Sequence, residues 1–218
     1  MSELTQWLLS HGISMAVLEI IVFIPILATL VNLSRYFIGF KSFGIYAPVI
    51  LALAYRYTGL RYGLIITLLV VIAAFIGYSV LKRIRMHYLA RVAINYVIVA
   101  LVVVFGIATF DSLNPLGFDN FESVNPLALI SIVALSDFFI KMYVKKSITA
   151  TARVLLETVL IAVIGWSLIS AQSMIEYLVN NLWMLGVFLI LNLIIGRYTG
   201  LRIKEYFRFS FIIKNENK

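Results

Sequence analysis

The sequence has few of the residues that build metal centres and thiol chemistry. Its 218 residues include no cysteine and only two histidines. Without cysteine the chain has no disulfide, no thiolate ligand and no thiol nucleophile. The histidines, His11 and His87, are too few and too far apart in sequence to indicate a metal centre. We therefore expect neither a metal nor a cofactor.

Motifs of the common catalytic sites are also missing. The sequence contains no Walker loop, no Gly-x-Ser-x-Gly elbow and no His-Glu-x-x-His. No lysine occurs between residues 152 and 196, so a retinal Schiff base in this region has no attachment point. The sequence therefore predicts a protein that is not an enzyme.

Charge is scarce as well, at 13% of the residues, whereas hydrophobic residues make up 62%. The apolar residues fall into seven runs, which are Ile13–Leu33, Phe37–Tyr55, Gly63–Leu81, Val92–Phe110, Pro126–Ile140, Ala152–Ile169 and Asn181–Gly196. Because a membrane-spanning helix needs about 20 apolar residues, the pattern predicts an all-α, polytopic membrane bundle of about seven transmembrane segments.

We expect one transmembrane domain over residues 1–218, with a short arm (1–12) and a basic tail (197–218). The start lacks a basic n-region, so the first run is expected to be retained.

Two of the seven runs are marginal as spans. The second reaches the required length only if it includes two glycines and a lysine, and the fifth is short. Both are predicted to be tilted, broken or re-entrant. Residues 111–125 contain Asn-Pro and Gly signals and are predicted to form a loop. The expected helix breaks and kinks are at Pro25, Pro48 and Pro126.

The basic residues are distributed unevenly along the chain. If all seven runs cross the membrane, 16 of the 18 basic residues lie on one side, and only Arg56 and Arg61 lie on the other. The positive-inside rule then places the N-terminus outside and the C-terminus inside. A six-span alternative has a re-entrant second run and the N-terminus inside. The net charge of +8 is explained by the basic residues that set the orientation in the membrane. It indicates contact with membrane lipid, not with nucleic acid.

One hexapeptide, Arg-Tyr-Thr-Gly-Leu-Arg, occurs at residues 56–61 and again at 197–202, each time closing an apolar run. Arginine is expected to lie among the lipid headgroups and tyrosine in the aromatic belt at the membrane interface, and glycine is expected to end the helix. With seven crossings the two copies lie at opposite faces, which predicts an inverted repeat of the kind frequent in secondary transporters. The alternative is a membrane-exit signal used twice. The motif residues are Arg56, Tyr57, Thr58, Gly59 and Arg61, and Arg197, Tyr198, Thr199, Gly200 and Arg202.

Three acidic residues lie within apolar runs: Glu19, Asp137 and Glu157. An ionised carboxylate in hydrocarbon costs about 2.5 to 3.5 kcal/mol, so each is expected to face the bundle and to find a partner or bind a proton. Asp137 can pair with Lys141, and Glu157 with Arg153, because each pair is four residues apart on one helix. The three carboxylates are the strongest candidates for a functional role.

A second symmetry links these carboxylates to the repeat. Glu19 precedes Arg56 by 37 residues, and Glu157 precedes Arg197 by 40. In each case the glutamate lies in the run before the one that ends in the hexapeptide. This predicts two pseudo-symmetric ion pairs, Glu19 with Arg56 and Glu157 with Arg197.

Two segments carry a resemblance to a known family. They begin at Phe37 (Phe-Ile-Gly-Phe-Lys-Ser-Phe-Gly-Ile-Tyr-Ala-Pro, continuing to Arg-Tyr-Thr-Gly-Leu) and at Gly196 (Gly-Arg-Tyr-Thr-Gly-Leu-Arg-Ile-Lys-Glu-Tyr-Phe-Arg-Phe). They resemble the bacterial seven-transmembrane domain that is usually fused to an inactive transglutaminase-like domain. The chain as it stands departs from the fused form, because its loops and its N-terminal arm are short. Residues 43–55 are also similar, more weakly, to the small membrane subunit of poly-γ-glutamate synthesis (the CapC or PgsC type).

The resemblance implies a bacterial inner-membrane protein that accompanies ATP-grasp ligases of the glutamate-adding kind. We therefore expect a non-catalytic subunit that anchors a cytoplasmic ATP-grasp or polyglutamate-type ligase and provides a conduit for its product. The alternative is a small secondary transporter or channel that uses the buried carboxylates. The expected partners are membrane lipid and a cytoplasmic ligase or another membrane subunit, with a homo-oligomer as a further alternative.

Overall fold

The computed structural model describes residues 3–113 and 125–197, which form helices joined by short turns, with no strand among them. The α-helices in these ranges are α1 (Glu3–Ser10), α2 (Met15–Leu33), α3 (Tyr46–Thr58), α4 (Leu60–Leu81), α5 (Tyr88–Leu113), α6 (Pro126–Lys145), α7 (Ile148–Ser170), α8 (Gln172–Asn180) and α9 (Met184–Gly196). The tail from residue 198 onward and residues 114–124 of the expected loop lie outside the described residues.

Five helical segments of the described chain are long and apolar enough to cross a membrane. They are Met15–Ile38, Leu60–Leu81, Tyr88–Thr109, Pro126–Lys145 and Ile148–Ser170. The helices α8 and α9 pass the same test only as a pair, with a bend of 100° between them. The predicted all-α, polytopic membrane bundle is thus confirmed. A count of seven crossings additionally requires the bent pair and the 13-residue α3 to cross.

The second apolar run is broken. A π-helical turn, Ser34–Ile38, extends α2, and Gly39 ends it with a φ of 87°, in the left-handed region that glycine tolerates best. Residues 39–45 are not helical, and α3 begins only at Tyr46. Residues 37–55 were predicted to be tilted, broken or re-entrant, and in the structure this segment is broken.

Other boundaries also differ from those expected. The fifth run, expected to be short, is a 20-residue helix, α6. Residues 111–113, which were expected in the loop, belong to α5, which continues to Leu113. The seventh run is helical only from Met184, since α8 and a turn precede α9.

None of the three prolines predicted as helix breaks interrupts a helix in the described residues. Pro126 is the first residue of α6, where the side chain of Asn125 accepts a hydrogen bond from the Leu127 N–H at 2.9 Å. Pro48 lies in the first turn of α3. Proline is tolerated at both places because first-turn N–H groups have no intrahelical acceptor. Pro25 lies inside α2, which nevertheless continues to Leu33.

The chain folds as two compact units, one of Met1–Val49 with Glu157–Lys218 and the other of Ile50–Leu156. In the first unit α2 packs against α8 and α9. Its apolar contacts centre on Val22, Ile26 and Leu178. The α1 helix joins this unit through Thr5, whose hydroxyl donates to the carbonyl of Val179 at 2.7 Å.

In the second unit α4 is central, since both α5 and α6 pack against it. Small residues on α4 allow this close approach. A Cβ added at Gly77 would collide with the Oδ1 of Asn95 on α5, and one added at Gly63 would collide with the ring of Tyr55. Close backbone approach at small residues is a common way for membrane helices to associate.

Candidate functional site

The ends of α4 and α6 meet at one end of the second unit. Tyr78 in the last turn of α4 and Tyr143 near the end of α6 have ring centroids 5.7 Å apart, with their planes nearly perpendicular. The turns that follow these two helices therefore lie side by side. We call them the basic turns, because they expose Lys82, Arg83, Arg85, Lys145 and Lys146.

A cavity of about 400 Å³ lies between the basic turns. Its lining residues are Tyr78, Lys82, Tyr143, Val144, Lys146, Ser147 and Ile148. None of them is acidic. Beside the cavity, the guanidinium of Arg91 lies 5.7 Å from the ring centroid of Tyr78 and donates a long hydrogen bond, 3.4 Å, to the carbonyl of Ile84. The cavity thus combines two ammonium groups with hydroxyl groups and aromatic faces.

The broken second segment lies in the first unit and is held by side chains of α7. The N–H of Lys41 donates to Oε2 of Glu157 at 2.5 Å, and the N–H of Phe43 donates to Oγ1 of Thr158 at 3.1 Å. Glu157 is 7% exposed and Thr158 is fully buried. Non-helical backbone at membrane depth needs such partners, because hydrocarbon offers its N–H groups none.

This contact changes the interpretation of Glu157. Sequence reasoning singled out the residue because a carboxylate in an apolar run needs a partner, but it considered only arginines. A break in the second run was among the predicted alternatives, but it was not connected with Glu157. Gly39 and Gly44 in this break both have positive φ. An interrupted helix leaves backbone N–H groups without helical acceptors, and a buried carboxylate is a suitable acceptor for them.

A polar network between α2 and α9 was not predicted. Asn32 donates to the Oδ1 of Asn192 at 2.6 Å. The amide of Asn192 donates in turn to the Thr29 hydroxyl at 2.6 Å and to the carbonyl of Phe188 at 2.8 Å. Thr29 donates to the carbonyl of Pro25 at 2.7 Å. The available signal was the presence of asparagines in otherwise apolar runs, since such residues hydrogen-bond across membrane helices.

The remaining predicted charges lie in different surroundings. Asp137 forms an ion pair with Lys141, with 2.6 Å between Oδ2 and Nζ. Glu19 on α2 and Arg56 in the last turn of α3 are half-buried, whereas Arg153 on α7 and Arg197 at the end of α9 are exposed. The Glu19–Arg56 and Glu157–Arg197 ion pairs stay predictions. In the described ranges, no group of three or more His, Asp or Glu side chains could hold a metal ion.

The first hexapeptide forms the junction between α3 and α4. Gly59 is the only residue between the two helices and has a φ of 77°, which is the helix-ending role expected of the glycine. Thr58 is buried and its hydroxyl donates to the carbonyl of Ala54 at 2.9 Å, while Tyr57 and Arg61 are exposed. Of the second hexapeptide only Arg197 is described, and Tyr198, Thr199, Gly200 and Arg202 lie outside the described residues. The inverted repeat therefore stays a prediction.

Comparison with known protein families gives one match. The family described as seven transmembrane helices usually fused to an inactive transglutaminase matches residues 11–213. The chain belongs to this family. Neither a curated protein nor a solved structure matches it.

Membership in the seven-transmembrane family confirms the resemblance drawn from residues 37–60 and 196–209, and with it a multi-pass membrane protein. The weaker likeness to the small membrane subunit of poly-γ-glutamate synthesis gains no support from this match. The family is characterised by its membrane helices and by a fusion partner that is inactive. Neither feature indicates catalysis.

Proposed function

We propose that this chain is a non-catalytic membrane subunit that anchors a cytoplasmic ATP-grasp ligase of the polyglutamate type and provides a conduit for its product. The observation that carries the proposal is the pair of basic turns. Their five exposed cations come from two separate stretches of the chain and are brought to one end of the second unit. Such a surface attracts an acidic protein or an acidic polymer by charge complementarity.

The charge distribution of the whole chain supports the same arrangement. The basic turns belong to the 16 basic residues that the positive-inside rule assigns to the cytoplasmic side. In the proposed orientation, in the bacterial inner membrane with the N-terminus outside, a cytoplasmic ligase would meet these turns directly. The two stretches of the chain that form the turns, residues 82–91 and 145–153, contain lysine and arginine but no acidic residue.

Affinity purification from native membranes tests the proposal. We expect the full chain to retain an ATP-dependent amino-acid ligase, and Arg83→Glu to reduce its recovery because a rim charge governs encounter and salt dependence. Arg61→Glu is the matched control, since Arg61 is also exposed but is predicted to lie on the opposite side. Equal recovery with both variants, or recovery of no such ligase, would refute the anchoring role. The mass of the purified complex shows whether the chain is also a homo-oligomer.

A transporter or channel is the second candidate, and the broken segment at residues 39–45 favours it. Discontinuous helices form the substrate and ion sites of many secondary transporters. However, the cavity between the basic turns is lined by none of the three carboxylates Glu19, Asp137 and Glu157, which a transport path is expected to meet. Reconstitution into liposomes with an enclosed pH dye separates the two candidates. A proton flux that Glu157→Gln abolishes would favour transport over anchoring.

A further inference from the structure

We propose that the cavity between the basic turns binds the phosphate headgroup of an anionic membrane lipid. The cavity of about 400 Å³ falls within the range of about 300–1,000 Å³ that is typical of small-ligand sites. Its charge, its hydroxyl-bearing residues and its apolar surroundings each point to the same ligand. The site is distinct from the proposed docking role, because the docking role is tested at Arg83, which does not line the cavity.

The charges of the cavity suit a phosphate group. Lys82 comes from the end of α4 and Lys146 from the turn before α7, and both line the cavity. Among the described residues neither makes an ion pair, whereas the nearby Lys141 is held by Asp137. Two lysine ammonium groups in one cavity whose lining includes no carboxylate form a site for a compact anion.

The polar groups of the lining add hydrogen-bond donors. Tyr78, Tyr143 and Ser147, which line the cavity from α4, from α6 and from the turn before α7, each carry a hydroxyl group. Tyr143 is fixed by ring contacts with Phe75 at 5.5 Å and with Phe139 at 6.3 Å, so its position is set before a ligand binds. Preorganised donors lower the entropic cost of binding.

The surroundings favour a lipid over a soluble phosphate. Val144 and Ile148 line the cavity and are 52% and 41% exposed, and Val80, in the last turn of α4, is 58% exposed. These apolar side chains lie on helices that are long enough to span a membrane. A headgroup bound between the lysines would therefore lay its acyl chains along an apolar helix surface, as basic pockets between membrane helices do for anionic lipids.

The test uses the full chain, purified in detergent and freed of native lipid. The probe is phosphatidylglycerol, and the comparison is phosphatidylcholine of the same acyl chains, a zwitterion with no net charge. Native mass spectrometry measures the bound lipid. We expect phosphatidylglycerol to bind preferentially, and the double variant Lys82→Gln, Lys146→Gln to weaken it about tenfold, since each lysine contributes to anionic-lipid binding. The variant Lys82→Arg, Lys146→Arg should retain binding.

The matched control is Arg83→Gln, Lys145→Gln. It removes the same number of charges from the same two turns but changes no lining residue. An equal loss in both double variants would overturn the site, because it would reduce the effect to general surface charge. Equal binding of the two lipids would overturn it as well.

Two further measurements test the site and the identity of its ligand. If the lysine double variant does not fold, Ser147→Glu places a carboxylate in the cavity and should weaken phosphatidylglycerol binding, and unchanged binding would count against the site. Glycerol 1-phosphate, the soluble headgroup, is added as a competitor. Competition at concentrations similar to those of the lipid would refute the assignment to lipid. Recovery of no ligase in the affinity purification would refute the anchoring role but leave the lipid site unaffected, so the two proposals fail separately.

Discussion

Asn32 on α2 donates a hydrogen bond of 2.6 Å to Asn192 on α9, across 160 residues of sequence. Both side chains are partly buried in helices that are otherwise apolar. Apolar surfaces of membrane helices have little preference for one another over lipid, so packing and hydrogen bonds select the partner and the register. This pair therefore identifies the register in which α2 and α9 associate.

A double-mutant cycle measures that contact. Asn32→Ala and Asn192→Ala are each expected to lower the stability of the first unit, by about 0.6 to 2 kcal/mol. Because the two residues share the bond, the double variant should lose less than the sum of the single losses. Thermal unfolding in detergent gives the three values. Asn181→Ala, which removes a half-buried asparagine bonded to Tyr177 and Trp183, is the control. Additive losses would show that the two asparagines are not coupled.

Gly77 sets the distance between α4 and α5. Gly77→Ala is expected to destabilise the second unit by about 1 to 3 kcal/mol, because the added methyl group overpacks the contact with Asn95. Gly186→Ala is the matched control, since a Cβ at this position meets nothing within 4 Å. Alanine has a higher helix propensity than glycine, so the stability of this variant should be equal or slightly raised. The midpoints of thermal unfolding of the two variants test the difference. Equal midpoints would argue against the close contact.

Glu157 is expected to hold the broken segment in place. Glu157→Leu leaves the Lys41 N–H without this acceptor, which costs about 1 to 3 kcal/mol for a buried donor, whereas Glu157→Gln keeps an acceptor and should cost less. A cysteine at Ser42 in this cysteine-free chain reports the opening of the segment through its rate of thiol labelling. The rate should rise most in the leucine variant. Glu176→Leu, on the exposed face of α8, controls for loss of charge, and an equal rise there would count against the contact.

The orientation in the membrane is testable with the same chemistry. Single cysteines at Ser2 and Asn217, labelled in intact cells with an impermeant thiol reagent, should react at Ser2 only, because the positive-inside rule places the N-terminus outside. A cysteine at Ser147, next to the basic turns, should be protected like that at Asn217. Labelling of Ser147 and Asn217 without Ser2 would reverse the topology.

Much of the fold was predictable because it depends on local properties of the chain. Run length and hydropathy decide whether a segment can cross hydrocarbon, and they located the helices α2, α4, α5, α6 and α7 within a few residues. Glycine accepts a positive φ more readily than other residues, so the role of Gly59 in ending a helix was also predictable. The cluster of basic residues in the turns followed from counting charges along the chain.

The sequence by itself determined the class of the protein, its apolar segments and the residues that hydrocarbon cannot accommodate unaided. Only the tertiary structure decided how those residues are satisfied. Glu157 meets the backbone of Lys41 across 116 positions, and Lys82 and Lys146 line one cavity from two separate turns. Partners so far apart in sequence depend on how helices pack, because hydropathy specifies which segments enter the membrane but not which faces meet there.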